Sequence, residues 1–186
     1  MPCVAKASLS IKGVRAASIA MKYSLTPKIS YILGLCTGSS ANTGFGVYGD
    51  GALLDAFCNA IAEAKIVPAE SIFRDSRRAW IEHSAYMSFF KRLYDQRLER
   101  FKSKNDYSAN YIAGLFDSCA YPLANMSEGA VAFGFSGLEA KDEVLFLRLG
   151  FKVKFSKRTI LLVDTPDRAF CKFVAPYVLL KKNLLA

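Results

Sequence analysis

Three carboxylates, Asp50, Asp117 and Glu128, are the side chains of this 186-residue chain best suited to metal-assisted chemistry. Hydrolysis of a phosphodiester by two cations needs acids that converge on the scissile phosphate, with metal near both the attacking and the leaving oxygen. One acid alone does not meet that need, and neither catalytic nor metal-binding residues are assigned. The lone histidine, His83, has no evident Cys or His partner and reads as a loop or helix-start residue. Five cysteines, Cys3, Cys36, Cys58, Cys119 and Cys171, have no CxxC spacing, so they read as free buried thiols of a reducing compartment rather than zinc ligands. Gly44, Gly46 and Gly49 match a dinucleotide fingerprint, but they lie inside a strand-like stretch with no strand before it, so the match is discarded. No phosphate-binding loop or nucleophile elbow is present, and no cofactor is expected.

Charge is more informative. Lys and Arg number 25 against 16 acids, giving a net charge of +9 and a pI near 9.4, the footprint of a nucleic-acid partner. The first acid is Asp50, after five lysines or arginines. The candidate phosphate contacts are Lys6, Lys12, Arg15 and Lys22 near the N-terminus, Arg74, Arg77 and Arg78 in one polar turn, and Lys152, Lys154, Lys157 and Arg158 in another. Lys152 and Lys154 alternate with Val153 and Phe155, which makes one strand face basic and the other core. Residues 1–28 read as a basic arm, or as an organelle targeting segment because they hold Ser, Ala and Lys without acids.

These residues must be positioned by a globular domain, since 52% of the chain is hydrophobic. No apolar run reaches the roughly 18 residues that span a bilayer, and the C-terminal stretch is interrupted by Pro176 and Lys181-Lys182, so no membrane insertion is expected. Periodicity gives a strand at 43–48 and a helix at 51–65 ended by Pro68. A hairpin follows, with strands 71–73 and 79–81, and then a long helix capped by Ser84 that runs through Leu98. The same order returns as a strand at 130–135, a helix at 138–149 ended by Gly150, a hairpin with strands 152–155 and 159–163, and a last helix with Pro166 at its first position.

Each series is preceded by a related segment. Tyr31-Ile32-Leu33-Gly34-Leu35-Cys36-Thr37-Gly38-Ser39-Ser40 matches Tyr111-Ile112-Ala113-Gly114-Leu115-Phe116-Asp117-Ser118-Cys119-Ala120. Phe45-Gly46 and Phe133-Gly134 follow them, which indicates a duplicated unit. Gly34 and Gly38, like Gly114 and Ser118, are four apart, so small residues share one helix face and form a seam where two backbones approach closely. The segments resemble the LAGLIDADG signature of homing endonucleases, with Ala113, Gly114, Leu115 and Asp117 identical in the second copy and Gly34 and Leu35 in the first.

The resemblance implies an α/β (α+β) fold of two pseudo-symmetric halves with saddle-shaped antiparallel sheets, here residues 29–186 with halves of about 29–105 and 106–186. It implies a catalytic carboxylate at the eighth signature position, where this chain has Ser39 and Cys119, and a structural role for the sixth, Asp117. Only one strand is evident directly after each motif, with Pro122 arguing for an irregular edge in the second half, so a reduced version of the fold is expected. The reading taken is a catalytically inactive nucleic-acid-binding protein. It would be a structural RNA-binding component of a ribonucleoprotein, with the mitochondrial ribosome as the specific expectation and ribosomal RNA and neighbouring proteins as partners. The alternatives are an intron maturase, a divergent homing endonuclease and a DNA-binding regulator.

Overall fold

Two helices set the architecture. Helix α1 (Pro27–Gly38) starts where Thr26 accepts a hydrogen bond from the Ile29 N–H and Pro27 fills the first turn, whose N–H groups have no helical partner. Helix α5 (Asp106–Cys119) starts from a reciprocal capping box between Asn105 and Ser108. They cross where neither has a side chain. A Cβ on Gly34 would lie 2.1 Å from the Tyr111 carbonyl oxygen, and one on Gly114 would lie 2.2 Å from that of Tyr31. The relation is reciprocal, as a pseudo-two-fold axis requires. The same axis relates the tyrosine hydroxyls: Tyr31 donates to Asp117 at 2.8 Å and Tyr111 donates to Thr37 at 3.4 Å.

The computed structural model describes residues 24–40, 44–123 and 131–185. After α1 come β1 (Phe45–Tyr48), α2 (Gly51–Glu63), β2 (Ile72–Arg74), β3 (Arg78–Ile81), α3 (Ser84–Asp95) and the single turn α4 (Arg97–Arg100). After α5 come β4 (Ala120–Pro122), β5 (Ala132–Ser136), α6 (Ala140–Arg148), β6 (Val153–Ser156), β7 (Thr159–Val163) and α7 (Ala169–Val174). The first half has a three-stranded antiparallel sheet in the order β1-β3-β2, and the second a four-stranded one in the order β4-β5-β7-β6. The extra strand is β4, whose Pro122 is tolerated because it lies on the sheet edge. Among the described residues its counterpart in the first half is one bridge, Ser40 to Val47.

Each sheet buries one face under helices. In the first half Val47, Ala79 and Ile81 point inward and pack with α2 and α3. In the second, Phe133 and Phe135 meet Phe116 of α5, Phe146 of α6 and Phe170 of α7 in edge-on and tilted ring contacts. A single hydrophobic cluster runs through both halves. Helices α2 and α6 end alike: the N–H of Ile66 bonds the Ile61 carbonyl, and that of Phe151 bonds the Phe146 carbonyl. The residue in the left-handed conformation is Lys65 in one (φ 51°) and Gly150 in the other (φ 77°).

Several expected boundaries are corrected. Helix α2 is stopped by Lys65, three residues before Pro68. Ser84 is the first residue of α3, with His83 at the cap. That helix ends at Asp95, because the chain turns at Gln96 so that Arg97 can enter the interior. Arg97 is 1% exposed; its Nε donates to Asp142 at 2.7 Å and its Nη2 to Glu139 at 3.1 Å, tying the first half to α6. Pro166 lies in a turn before α7, and the buried Asp164 nucleates that helix by accepting from the N–H groups of Phe170 and Cys171.

Candidate nucleic-acid interface

The carboxyl ends of α1 and α5 carry Ser39 and Cys119, the positions where the resemblance to the signature implies a catalytic carboxylate. Ser39 donates its hydroxyl to the Tyr48 carbonyl, which binds the end of α1 to β1. Cys119 is buried and donates to the Leu115 carbonyl at 3.3 Å; burial pushes its thiol up to about 12, against a smaller opposing effect of Lys181. A committed hydroxyl and a neutral thiol do not suit a hard divalent cation, which takes oxygen ligands, most of them carboxylate or carbonyl.

The nearby acids have other tasks. Asp50 caps α2 through the Leu53 N–H at 2.9 Å. Asp117 accepts four hydrogen bonds: its Oδ2 from Tyr31 Oη and Leu179 N, both at 2.8 Å, and its Oδ1 from Leu180 N at 3.1 Å and Lys181 N at 3.0 Å. The carboxylate anchors the C-terminal segment on the seam. The same segment sends the Lys181 ammonium to the Ala120 carbonyl at 2.7 Å, where α5 ends. Burial lowers the affinity of that ammonium for its proton, and the negative charge of Asp117 and Asp50 works against the shift. Glu128 lies outside the described residues. Among the described residues, no three His, Cys, Asp or Glu side chains converge on a possible metal position.

The sheet faces turned away from the helices carry a different set of groups. Directly opposed residues share a face, so the pairs Tyr48–Arg78, Gly46–Trp80 and Phe73–Trp80 place three aromatics and an arginine together on the first sheet. Both Phe-Gly pairs have the same use. Phe45 and Phe133 enter the core, while Gly46 and Gly134 face outward beneath an aromatic from the neighbouring strand. A Cβ on Gly46 would lie 2.6 Å from the Trp80 Cβ, and one on Gly134 would lie 2.4 Å from Cζ of Tyr121.

The basic residues divide between these faces and the hairpin tips. Arg77 lies in the β2–β3 turn and Arg78 opens β3; Asp75 holds the turn by accepting from both of their backbone N–H groups at 2.8 Å. Arg77 also reaches the Tyr48 hydroxyl at 3.1 Å. Arg74 departs from the grouping expected: it lies on the helix side of β2 and pairs with Asp55 of α2. Lys152, Lys154, Lys157 and Arg158 are all exposed, with Lys157 and Arg158 forming the two-residue tip of the β6–β7 hairpin. Lys6, Lys12, Arg15 and Lys22 lie outside the described residues.

No family model and no curated protein sequence matches the chain. Solved structures do. The homing endonuclease I-DmoI in complex with DNA and Ca superposes with a TM-score of 0.54 at 14% identity, covering 80% of this chain and 89% of the other. Its complex with DNA and Mn gives 0.53 at 13% identity, covering 82% and 96%. A mesophilic variant gives 0.52 at 16%, with the same coverage. The chain has the LAGLIDADG homing-endonuclease fold.

Within the LAGLIDADG fold, Gly34, Gly38, Gly114 and Ser118 all lie on the seam, and a Cβ on Gly38 would come 2.1 Å from the Ser118 Oγ. The halves meet there and again at Arg97, whose burial the sequence does not signal. Sequence reasoning also missed Tyr48, Phe73 and Trp80. Each has an ordinary strand residue's spacing, and only the β1–β3–β2 register brings them together. Among the described residues no helix is long and apolar enough to cross a membrane.

Proposed function

We propose that this chain is a nucleic-acid-binding protein without nuclease activity, acting as a structural RNA-binding component of a ribonucleoprotein. The observation that carries the proposal is the chemistry at the ends of the motif helices, where a hydroxyl bonded to a strand and a buried neutral thiol stand in place of acids. Binding is supported separately by the +9 charge and the basic hairpin tips. A similar solved structure is of an endonuclease in complex with its target DNA, which supports nucleic acid as the partner. RNA is preferred to DNA because the first sheet offers aromatic side chains suited to unstacked bases. A mitochondrial ribosome is the assembly we assign, following the acid-free basic stretch before Asp50.

The test is to purify the tagged protein from its native cell under mild salt and sequence the RNA crosslinked to it. Ribosomal RNA with many ribosomal proteins is expected. A single intron RNA would replace the ribosomal assignment with a maturase. Mg²⁺-dependent cleavage of DNA by the purified chain would overturn the loss of catalysis.

A further inference from the structure

The outer face of the first sheet has a composition that tracking the phosphates of a duplex does not explain. Tyr48, at the end of β1, and Phe73, in β2, are each 46% exposed on the two edge strands that flank Trp80. Phe73 stacks on Trp80 with ring centres 5.7 Å apart and planes 21° from parallel. Phe73, Glu82 and Arg78 hold the indole in place. Its Nε1 donates to Glu82 at 2.7 Å, the Arg78 guanidinium lies 5.1 Å from the ring centre, and Gly46 lets β1 approach the Trp80 Cα and Cβ, each 2.6 Å from where a Cβ would stand. Arg78 is charge-balanced by Asp75, whereas among the described residues the Arg77 side chain meets the neutral hydroxyl of Tyr48 and no carboxylate. The face therefore combines fixed rings with a cation directed along them.

We propose that Tyr48, Phe73 and Trp80 form a stacking platform for unpaired bases of an RNA strand, with Arg77 on the adjoining phosphate. The inference rests on the nucleic-acid reading above and narrows it to looped or single-stranded segments. Every base has a π face, so aromatic rings exposed on a sheet bind unpaired bases with little regard to sequence. Bases inside a duplex are already stacked on their neighbours and cannot take that place. The Trp80–Glu82 bond and the Phe73 contact fix the rings beforehand, which removes part of the ordering cost of binding.

Trp80 is the only tryptophan in the chain, so its emission reports on the platform directly. The full chain is titrated with a twelve-nucleotide oligouridylate and with a blunt twelve-base-pair RNA duplex, following emission and anisotropy together. Oligouridylate is expected to quench Trp80 by more than half, and the duplex to bind without quenching. Phe73→Ala and Tyr48→Ala should each weaken oligouridylate binding roughly tenfold, within the range for loss of one stacked base, and weaken duplex binding by much less. Both side chains are exposed, so the fold should survive, and Phe73→Tyr should restore the affinity. If both RNAs bind with unchanged emission, or the alanine variants bind like the parent, the platform is overturned while the nucleic-acid reading stands. If neither RNA binds, both fall.

Discussion

The β6–β7 hairpin turns through Lys157 and Arg158, with φ of 48° and 62°. A two-residue loop with both residues left-handed matches the twist of the strands, and its usual occupants are Asn and Gly. A residue with a Cβ in that conformation costs about 1–2 kcal/mol. Replacement by Lys157→Asn and Arg158→Gly should recover most of about 2–4 kcal/mol, less about 0.5–1 kcal/mol for the greater freedom of glycine in the unfolded chain. A net gain of about 1–2 kcal/mol corresponds to a Tm rise of about 2–8 °C in a domain of this size. The same change removes two exposed charges from the tip, so the slope of log affinity against log salt should fall by about 1.4–1.8. Calorimetry and anisotropy titrations on one preparation would measure both. A double variant that melts with or below the parent refutes the strain argument. A more stable variant that binds RNA with undiminished affinity refutes the view that strained cations are there for a phosphate.

Gly34→Ala should lower stability by about 3 kcal/mol or more in urea unfolding, because its Cβ would lie 2.1 Å from a backbone oxygen that cannot move aside without separating the helices. Asp117→Asn should cost about 2–4 kcal/mol, since an amide group would face N–H or O–H donors now satisfied by a carboxylate; Tm and amide exchange at residues 179–181 would report it. Lys65→Gly should raise stability by about 1 kcal/mol and Tm by about 2–4 °C, giving α2 the ending that Gly150 gives α6.

The parts of the fold visible in the sequence are those set by local spacing. Glycines four apart, the paired tyrosines and the repeated Phe-Gly pairs mark the seam and the two sheets, because each depends on residues a turn or a strand apart. What local spacing leaves open depends on distant partners. Strand β4 has a proline and only three residues, and it exists because β5 offers it an edge. The break at Gln96 follows from Arg97 reaching Asp142, which no periodicity foretells. Asp117 reads as structural from its place in the motif, yet its particular task, holding the N–H groups of Leu179 to Lys181, appears only when the C-terminal segment is seen to cross the seam. At the interface, Arg77, Arg78 and the hairpin lysines stand out as charge, whereas the aromatic row is ordinary strand sequence until the register aligns it.

The central claim is that nucleic acid lies along the sheet faces and hairpin tips, and its most direct test is the salt dependence of RNA binding with and without the β6–β7 cations. Each phosphate neutralised releases condensed counterions, so log affinity falls linearly with log salt, with a slope of roughly 0.7 to 0.9 per contact. Changing Lys152, Lys154, Lys157 and Arg158 to alanine together should reduce that slope by about 3 and weaken binding, while far-ultraviolet circular dichroism stays that of the parent because Val153 and Phe155 keep the strand in place. An unchanged slope in the folded four-fold variant would contradict the account.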